Sequence, residues 1–287
     1  MIRVESLAVL LTCHNRVEQT LKCLELLENQ ENITIDTLDV FLVDDGSTDN
    51  TAFRVAEKFP KVKIIQGDGS LFWNRGMHLA FNKAIVGNYK FYIWLNDDTF
   101  LYKNALNITF ASYFGLPQAK RSSIMVGSTC DEKTKLTSYG GYSKIPGWNP
   151  FRYKLVEPSL NEVTECQTMC GNYVMIPDSI VKEIGIIDPE YRHRWGDVDY
   201  GLRATKAGGT LFVAPGHIGT CSFNQQSNSW ENRSLPVKER IKIINSIKGL
   251  QKEDWRRFTQ LHGGTFWFLF WLSPYIKIYL TSFLKNK

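Results

Sequence analysis

Hydrophobic positions along the chain alternate between two periodicities. Residues 7–12 (LAVLLT) are a continuous apolar run, the pattern of a strand buried on both faces. Residues 16–29 then carry Val17, Leu21, Leu24 and Leu27 at the spacing of one helix face. Residues 38–43 (LDVFLV) form a second buried run, stopped by Asp44-Asp45-Gly46-Ser47, and a helix over 48–59 and a strand over 62–65 are expected after it. Strand, helix, strand, helix, strand within 65 residues predicts right-handed βαβ units and a mostly parallel, Rossmann-like sheet flanked by helices, an α/β fold. Further helices are expected over 74–86, 104–114, 178–184 and 197–207, the last stopped by Gly208-Gly209. Further strands are expected over 89–95, 125–128, 170–176 and 210–214.

The last fifty residues differ in character. Residues 236–287 hold ten Lys or Arg against three acids, so they carry more positive charge than the net +5 of the whole chain. The basicity therefore belongs to the tail and does not point to nucleic acid. Residues 236–257 read as a basic helix, and 266–283 hold eight aromatics and one charge, Lys277. Ser273-Pro274 interrupts that stretch, which favours a helical segment lying in a membrane interface over one packed on the core or a partner, and over one that spans. A core domain over 1–235 and a membrane-associating tail over 236–287 follow. With 43% hydrophobic and 13% aromatic residues, the chain is neither disordered nor fibrous. Six cysteines without a CxxC pair are expected as reduced, mostly buried thiols of a cytosolic protein. The N-terminus lacks a basic segment and a small-residue cleavage site, so it reads as a strand and not as a signal peptide.

Two strands end in paired acids, Asp44-Asp45 and Asp97-Asp98. In open α/β sheets, ligands gather beyond the carboxyl ends of the strands. One such pair alone also suits a turn or a helix cap. Two on the same edge repel unless a cation or a donor-rich ligand lies between them, and carboxylates with few His or Cys neighbours suit Mg²⁺ or Mn²⁺. Residues 67–76 (GDGSLFWNRG) form a glycine-containing loop before a helix, in which Arg75 meets a phosphate or the aromatics simply pack.

Thr12-Cys13-His14-Asn15-Arg16, Val43-Asp44-Asp45-Gly46-Ser47-Thr48-Asp49, Leu95-Asn96-Asp97-Asp98 and the stretch from Trp195 to Arg203 together resemble the signatures of family 2 glycosyltransferases with the GT-A fold. Asn96 stands where the family's metal motif usually has its first acid. The resemblance covers about residues 5–225. It implies a nucleotide-sugar half over about 1–125 and an acceptor half over about 126–235. By the same resemblance Thr12, His14 and Asn15 line the nucleotide pocket, Asp44 meets the base edge, and Asp45 supports the loop or ribose. Asp97 faces the ribose or sugar, and Asp98 binds the cation on the diphosphate. Asp197 matches the base of an inverting transfer, with Asp199, Gly171 and Asn172 beside the acceptor. Trp195 stacks on a sugar or packs in the core, and His217 is a further metal ligand or structural.

The 67–76 segment is similar to one in transferases of bacterial surface polysaccharides, rhamnosyl- and galactofuranosyltransferases among them. The base-edge contact implied for Asp44 suits a UDP- or dTDP-sugar donor, and the basic, aromatic tail suits a lipid-linked glycan acceptor and a peripheral location on the inner face of the cell membrane. A nucleotidyltransferase normally has a glycine-rich loop after its first strand, which residues 12–16 lack. A non-catalytic nucleotide-sugar-binding protein has no use for both Asp98 and Asp197.

Overall fold

The apolar runs become strands β1 (Ile2–Cys13), β2 (Ile33–Asp44), β3 (Lys63–Gln66) and β4 (Phe91–Leu95), separated by helices α1 (Val17–Glu28), α2 (Thr51–Lys58) and α3 (Phe72–Ala84). These elements are taken from a computed structural model that describes residues 1–120, 122–223, 229–247 and 249–283. Strands β1 and β2 extend several residues before their apolar runs, because their amphipathic first halves pair in register from Ile2↔Ile33 onward. Strand β5 (Phe100–Leu101), helix α4 (Ala105–Gly115) and strand β6 (Ser123–Cys130) follow. Five short strands come next: β7 (Thr137–Tyr139), β8 (Gly141–Lys144), β9 (Tyr153–Leu155), β10 (Thr164–Cys166) and β11 (Thr168–Met169). The core closes with β12 (Tyr173–Pro177), α5 (Asp178–Ile184), α6 (Gly196–Lys206) and β13 (Thr210–Thr220).

The main sheet runs β10-β13-β6-β12-β4-β1-β2-β3, with β5 and β7 on β13 and β6, and β11-β8-β9 form a second small sheet. Strands β3, β2, β1 and β4 are mutually parallel, as are β6 and β13, while β12 lies antiparallel between β4 and β6. The expected α/β sheet is therefore present, but mixed: six strands share one sense, β12 is reversed between β4 and β6, and the short strands β5, β7 and β10 are antiparallel to their neighbours. Strand β12 is reached from β6 through short antiparallel strands and no crossover helix, so it returns in the opposite sense. Its start, and not its end, consequently lies at the carboxyl edge of β4: Tyr173 pairs with Leu95, and Asn96 N donates to Asn172 O at 3.0 Å.

Alternation along the strands builds a core on each face. Leu7, Val9 and Leu11 pack toward Leu24 and Phe110, whereas Ala8 and Leu10 pack toward Met77, Phe81 and Trp94. Each fully buried large apolar side chain contributes about 1.5–3 kcal/mol. Strand β13 runs six residues past its expected end at 214, through register shifts around His217 that absorb Pro215 and the left-handed Gly216 (φ 65°).

The tail forms α7 (Val237–Ile244), α8 (Lys252–His262) and α9 (Trp267–Phe283), the last continuing through Pro274. Trp255 and Phe258 of α8 cluster with Tyr191 and are packed by Phe151 and Trp195, so the tail is fastened to the core. Phe268, Leu269, Leu272, Ile276, Tyr279 and Leu280 of α9 are exposed. Among the described residues, no helix is long and apolar enough to cross a membrane.

Candidate active site

The carboxyl edge of the sheet is assembled by side chains that tie one loop to the next. After β1 the chain turns at Asn15 in the left-handed region (φ 51°), which asparagine tolerates better than most residues. Asn15 N donates to Ser47 Oγ at 2.9 Å, and Thr48 N donates to Asn15 Oδ1 at 2.7 Å. His14 Nδ1 lies 2.6 Å from the carbonyl of Asp45, which can only accept, so the proton is on Nδ1 and Nε2 accepts from Asn15 Nδ2. Asp45 receives the backbone N–H groups of Gly69 and Phe72, both at 2.9 Å, and so shapes the 67–72 loop. Asp44 is buried and accepts Ser47 N at 2.9 Å through Oδ1. Thr12 lies under Gly76, where a Cβ would collide with its side chain; the glycine lets α3 lie directly over the end of β1.

At the end of β4, Asp97 is buried and Asp98 half-buried. Arg16 Nη1 donates to Asp97 Oδ1 at 3.1 Å and to Asp98 Oδ2 at 2.6 Å. Burial pushes the Asp97 carboxyl up to about 7, with Arg16 opposing and the Asp98 charge reinforcing the rise. Asp97 Oδ2 has no hydrogen-bond partner among the described residues. Asn96 Oδ1 accepts the indole N–H of Trp73 at 2.7 Å, so the residue that departs from the acidic motif anchors an aromatic wall. That wall stands against Gly171, where a Cβ would run into the Trp73 ring.

The reversed strand β12 carries the acceptor side to this edge. Gly171 N donates to Asp197 Oδ2 at 2.9 Å, and Val198 N donates to Asp197 Oδ1 at 2.8 Å. Burial pushes the Asp197 carboxyl above its ordinary value, and those two N–H groups hold it back. Next along, Asn172 Nδ2 donates to Cys221 Sγ at 3.3 Å, and that thiol approaches Asp98 Oδ1 at 3.7 Å. Asp98 and Asp197 thus flank the same two-residue edge, Gly171–Asn172.

Four expected site residues sit elsewhere. Asp199 is fully buried between Arg203 Nε and His262 Nε2, each 2.8 Å away, and turns from the acceptor side. Trp195 stacks on Phe258 with ring centroids 4.6 Å apart, so it packs against α8 in preference to presenting a face to a sugar. Arg75 Nε donates to Pro189 O at 3.1 Å, away from the paired acids. His217 pairs with Ser128 and holds Thr137 Oγ1 at 2.9 Å. It lies four residues before Cys221, roughly 13 Å along an extended strand at about 3.3 Å per residue, so β13 delivers Cys221 to Asp98 and not His217.

A family model, Glycosyl transferase family 2, matches residues 8–170. The chain belongs to glycosyltransferase family 2. No curated protein sequence matches significantly. Among solved structures, S. aureus TarS superposes with a TM-score of 0.57 at 14% identity, covering 91% of this chain and 44% of that one. S. aureus TarS 1–349 in complex with UDP gives 0.57 at 14% identity, covering 89% of this chain and 70% of that one. A further crystal structure of S. aureus TarS 1–349 gives 0.55 at 13% identity, covering 95% of this chain and 80% of that one. These are likenesses of fold, consistent with GT-A. This chain spans less than half of the longer TarS chain.

The match to family 2 ends before Asp197, so the acceptor side of this family 2 transferase rests on its own geometry. Among the described residues, no group of three or more His, Cys, Asp and Glu side chains gathers to cage a metal. Two adjacent carboxylates with one unpartnered oxygen still fit a hard cation, which commonly takes one or two carboxylates and completes its shell from substrate phosphates and water. Arg16, Trp73 and Cys221 are the site residues that the sequence does not single out. Arg16 stands inside a quoted motif, which was the available signal; Trp73 and Cys221 reach the site only through long-range pairing.

Proposed function

We propose that this family 2 enzyme is a metal-dependent, inverting hexosyltransferase. It moves a sugar from a UDP- or dTDP-sugar to a hydroxyl of a lipid-linked glycan in bacterial surface-polysaccharide synthesis. The observation that carries this is the placement of Asp98 and Asp197 on either side of Gly171–Asn172. Thr12, His14, Asn15 and Asp44 offer the exposed rim and buried floor of a nucleotide pocket at the ends of β1 and β2. The UDP complex of TarS, similar in fold, supports that donor class.

Asp197 is suited to take the proton of the acceptor hydroxyl. Its carboxyl is shifted upward by burial, toward the working range of a general base, and Gly171 N–H fixes one oxygen so that the group keeps its orientation. The alcohol then attacks the anomeric carbon from the side opposite the departing diphosphate, which inverts the centre. A Mg²⁺ or Mn²⁺ held by Asp98, with Asp97 behind it, would supply a Lewis acid for the leaving diphosphate. Trp73 walls the sugar between the two halves.

The tail supports a membrane-borne acceptor. Lys238, Lys242, Lys252 and Arg256 are exposed on α7 and α8, and α9 exposes an apolar face. Each basic residue near an anionic surface adds about 1 kcal/mol. That combination supports peripheral attachment to the inner face of the cell membrane.

The test is transfer and hydrolysis with a panel of UDP-, dTDP- and GDP-sugars, with and without Mn²⁺, on wild type and Asp197→Asn. The expected result is Mn²⁺-dependent turnover with one nucleotide class, abolished in the variant while nucleotide binding survives. Full turnover by Asp197→Asn removes the base assignment, and binding of no nucleotide sugar removes the donor reading.

A further inference from the structure

A single guanidinium already performs the charge compensation that the paired acids require. Arg16 Nη1 carries two hydrogens and directs them at Asp97 Oδ1 (3.1 Å) and Asp98 Oδ2 (2.6 Å). The backbone beneath it is fixed. Asn15 is held by Ser47 and Thr48, Val17 N donates to Asp49 Oδ2 at 3.0 Å, and both Thr20 N and Thr20 Oγ1 donate to Arg16 O at 2.9 Å. The side chain, by contrast, remains 43% exposed, whereas that of Asp97 is 7% exposed. The bridge therefore joins a half-exposed guanidinium on a hydrogen-bonded backbone to a buried carboxylate.

We infer that Arg16 is a resident counter-cation that keeps divalent metal off Asp98 until a nucleoside diphosphate arrives. It then hands the carboxylates over and transfers its guanidinium to the diphosphate oxygens. The inference rests on the proposed donor class. Asp98 has the more exposed side chain of the two, 28% against 7% for Asp97, so a hard cation would reach it first, and its Oδ2 is also the closer of the two bridged oxygens to Arg16. Two cations cannot share that oxygen, so the guanidinium and the metal lower each other's apparent affinity. A hard divalent ion with only one or two carboxylates is poorly coordinated, and it gains its remaining oxygen ligands when phosphates enter. The same phosphates attract a guanidinium, which matches their geometry and never loses its charge. Both exchanges therefore run in one direction once the diphosphate is bound, and neither runs well before. The consequence is ordered loading, nucleotide first and metal with or after it.

The experiment is a Mn²⁺ titration of the full chain by calorimetry, or by the paramagnetic resonance of free Mn²⁺, with and without UDP. Wild type is expected to bind Mn²⁺ weakly alone and at least tenfold more tightly with UDP. Arg16→Gln is expected to bind Mn²⁺ alone about tenfold more tightly than wild type, and to show little further gain from UDP. Arg16→Lys keeps one charge without the fork and is expected to fall between them; it serves as the second variant should Arg16→Gln fail to fold. Mn²⁺ affinity in the absence of nucleotide that is equal or lower in both variants overturns the inference. UDP that binds all three proteins while Arg16→Gln leaves Mn²⁺ affinity unchanged sinks the role of Arg16 alone. UDP that binds none of them sinks the donor reading, and the nucleotide-free titration still decides whether Arg16 competes with metal.

Discussion

His262 on α8 donates its Nε2 proton to Asp199 on α6 at 2.8 Å, two residues beyond Asp197. The carboxylate can only accept, so the tautomer is fixed by the contact. Asp254 receives Arg192 N at 3.1 Å, and Arg257 pairs with Asp188 at 2.6 Å. Helix α8 thereby fastens both the helix that bears the proposed base and the loop leading into it. Removing the imidazole leaves a buried carboxylate short of a donor, which costs about 1–3 kcal/mol. His262→Ala should show that loss in urea unfolding and a lower kcat with the donor KM unchanged, and His262→Gln should recover part of both. An unaltered kcat in His262→Ala would confine α8 to a structural role.

Acid should weaken the same cluster. Burial pushes the Asp199 carboxyl up, but the hydrogen bond from His262 and the charge and hydrogen bond of Arg203 more than offset it, so its native value lies below the ordinary 3.8. A depressed carboxyl contributes its full stabilisation above the unfolded value and loses it as pH falls through the native one. The Tm difference between wild type and Asp199→Asn should therefore be constant from neutral pH to about 4 and shrink below it. Thermal unfolding across that range checks the sign.

Transfer should respond to pH on a different group. A general base works only when deprotonated, and burial raises the Asp197 carboxyl above 3.8 despite the opposing N–H groups of Gly171 and Val198. The acid limb of kcat should lie above the ordinary carboxylate range. In Asp197→Asn the rate should fall by at least about 100-fold across the whole profile.

Gly171 leaves no room for a methyl group between Trp73 and Asp197. Gly171→Ala should lose transfer at least tenfold and about 1–3 kcal/mol of stability through overpacking. Nucleotide binding should be retained. Adding Trp73→Leu to the same chain relieves the collision, and its stability should rise relative to the single variant in the same unfolding assay.

The outer face of α9 offers a separate test. Leu272 and Ile276 are 38% and 51% exposed and belong to none of the buried core clusters, so replacing both with Glu spares the core. Sedimentation with vesicles rich in anionic lipid should show binding by wild type and much less by the double variant at equal Tm. Equal binding would assign the tail to another role.

Much of the molecule was legible in the order of its residues. The βαβ alternation and the buried first strands follow from local pattern, and the loop-building side of Asp45 was implied by the family resemblance. The misplacements have physical causes. Asp197 and Asp199 look like a pair in sequence, but two helical residues are turned about 200° from one another, and the second faces the interior. The resemblance leaves His217 as a metal ligand or a structural residue, and the strand expected over 210–214 bulges and continues to Thr220, which keeps His217 in the ladder beside Ser128. Trp73 reaches Asn96 and Gly171 only after α3 lies over β1, a long-range fact with no local signature.

The reversed strand β12 has an engineering consequence. Its ladder with β4 sets how far Asp197 stands from Asp98, the two groups proposed to serve the alcohol and the nucleotide, and residues 131–167 make none of its pairs. Exchanging that stretch for one from a cousin enzyme should redirect which alcohol is glycosylated while the activated sugar stays the same.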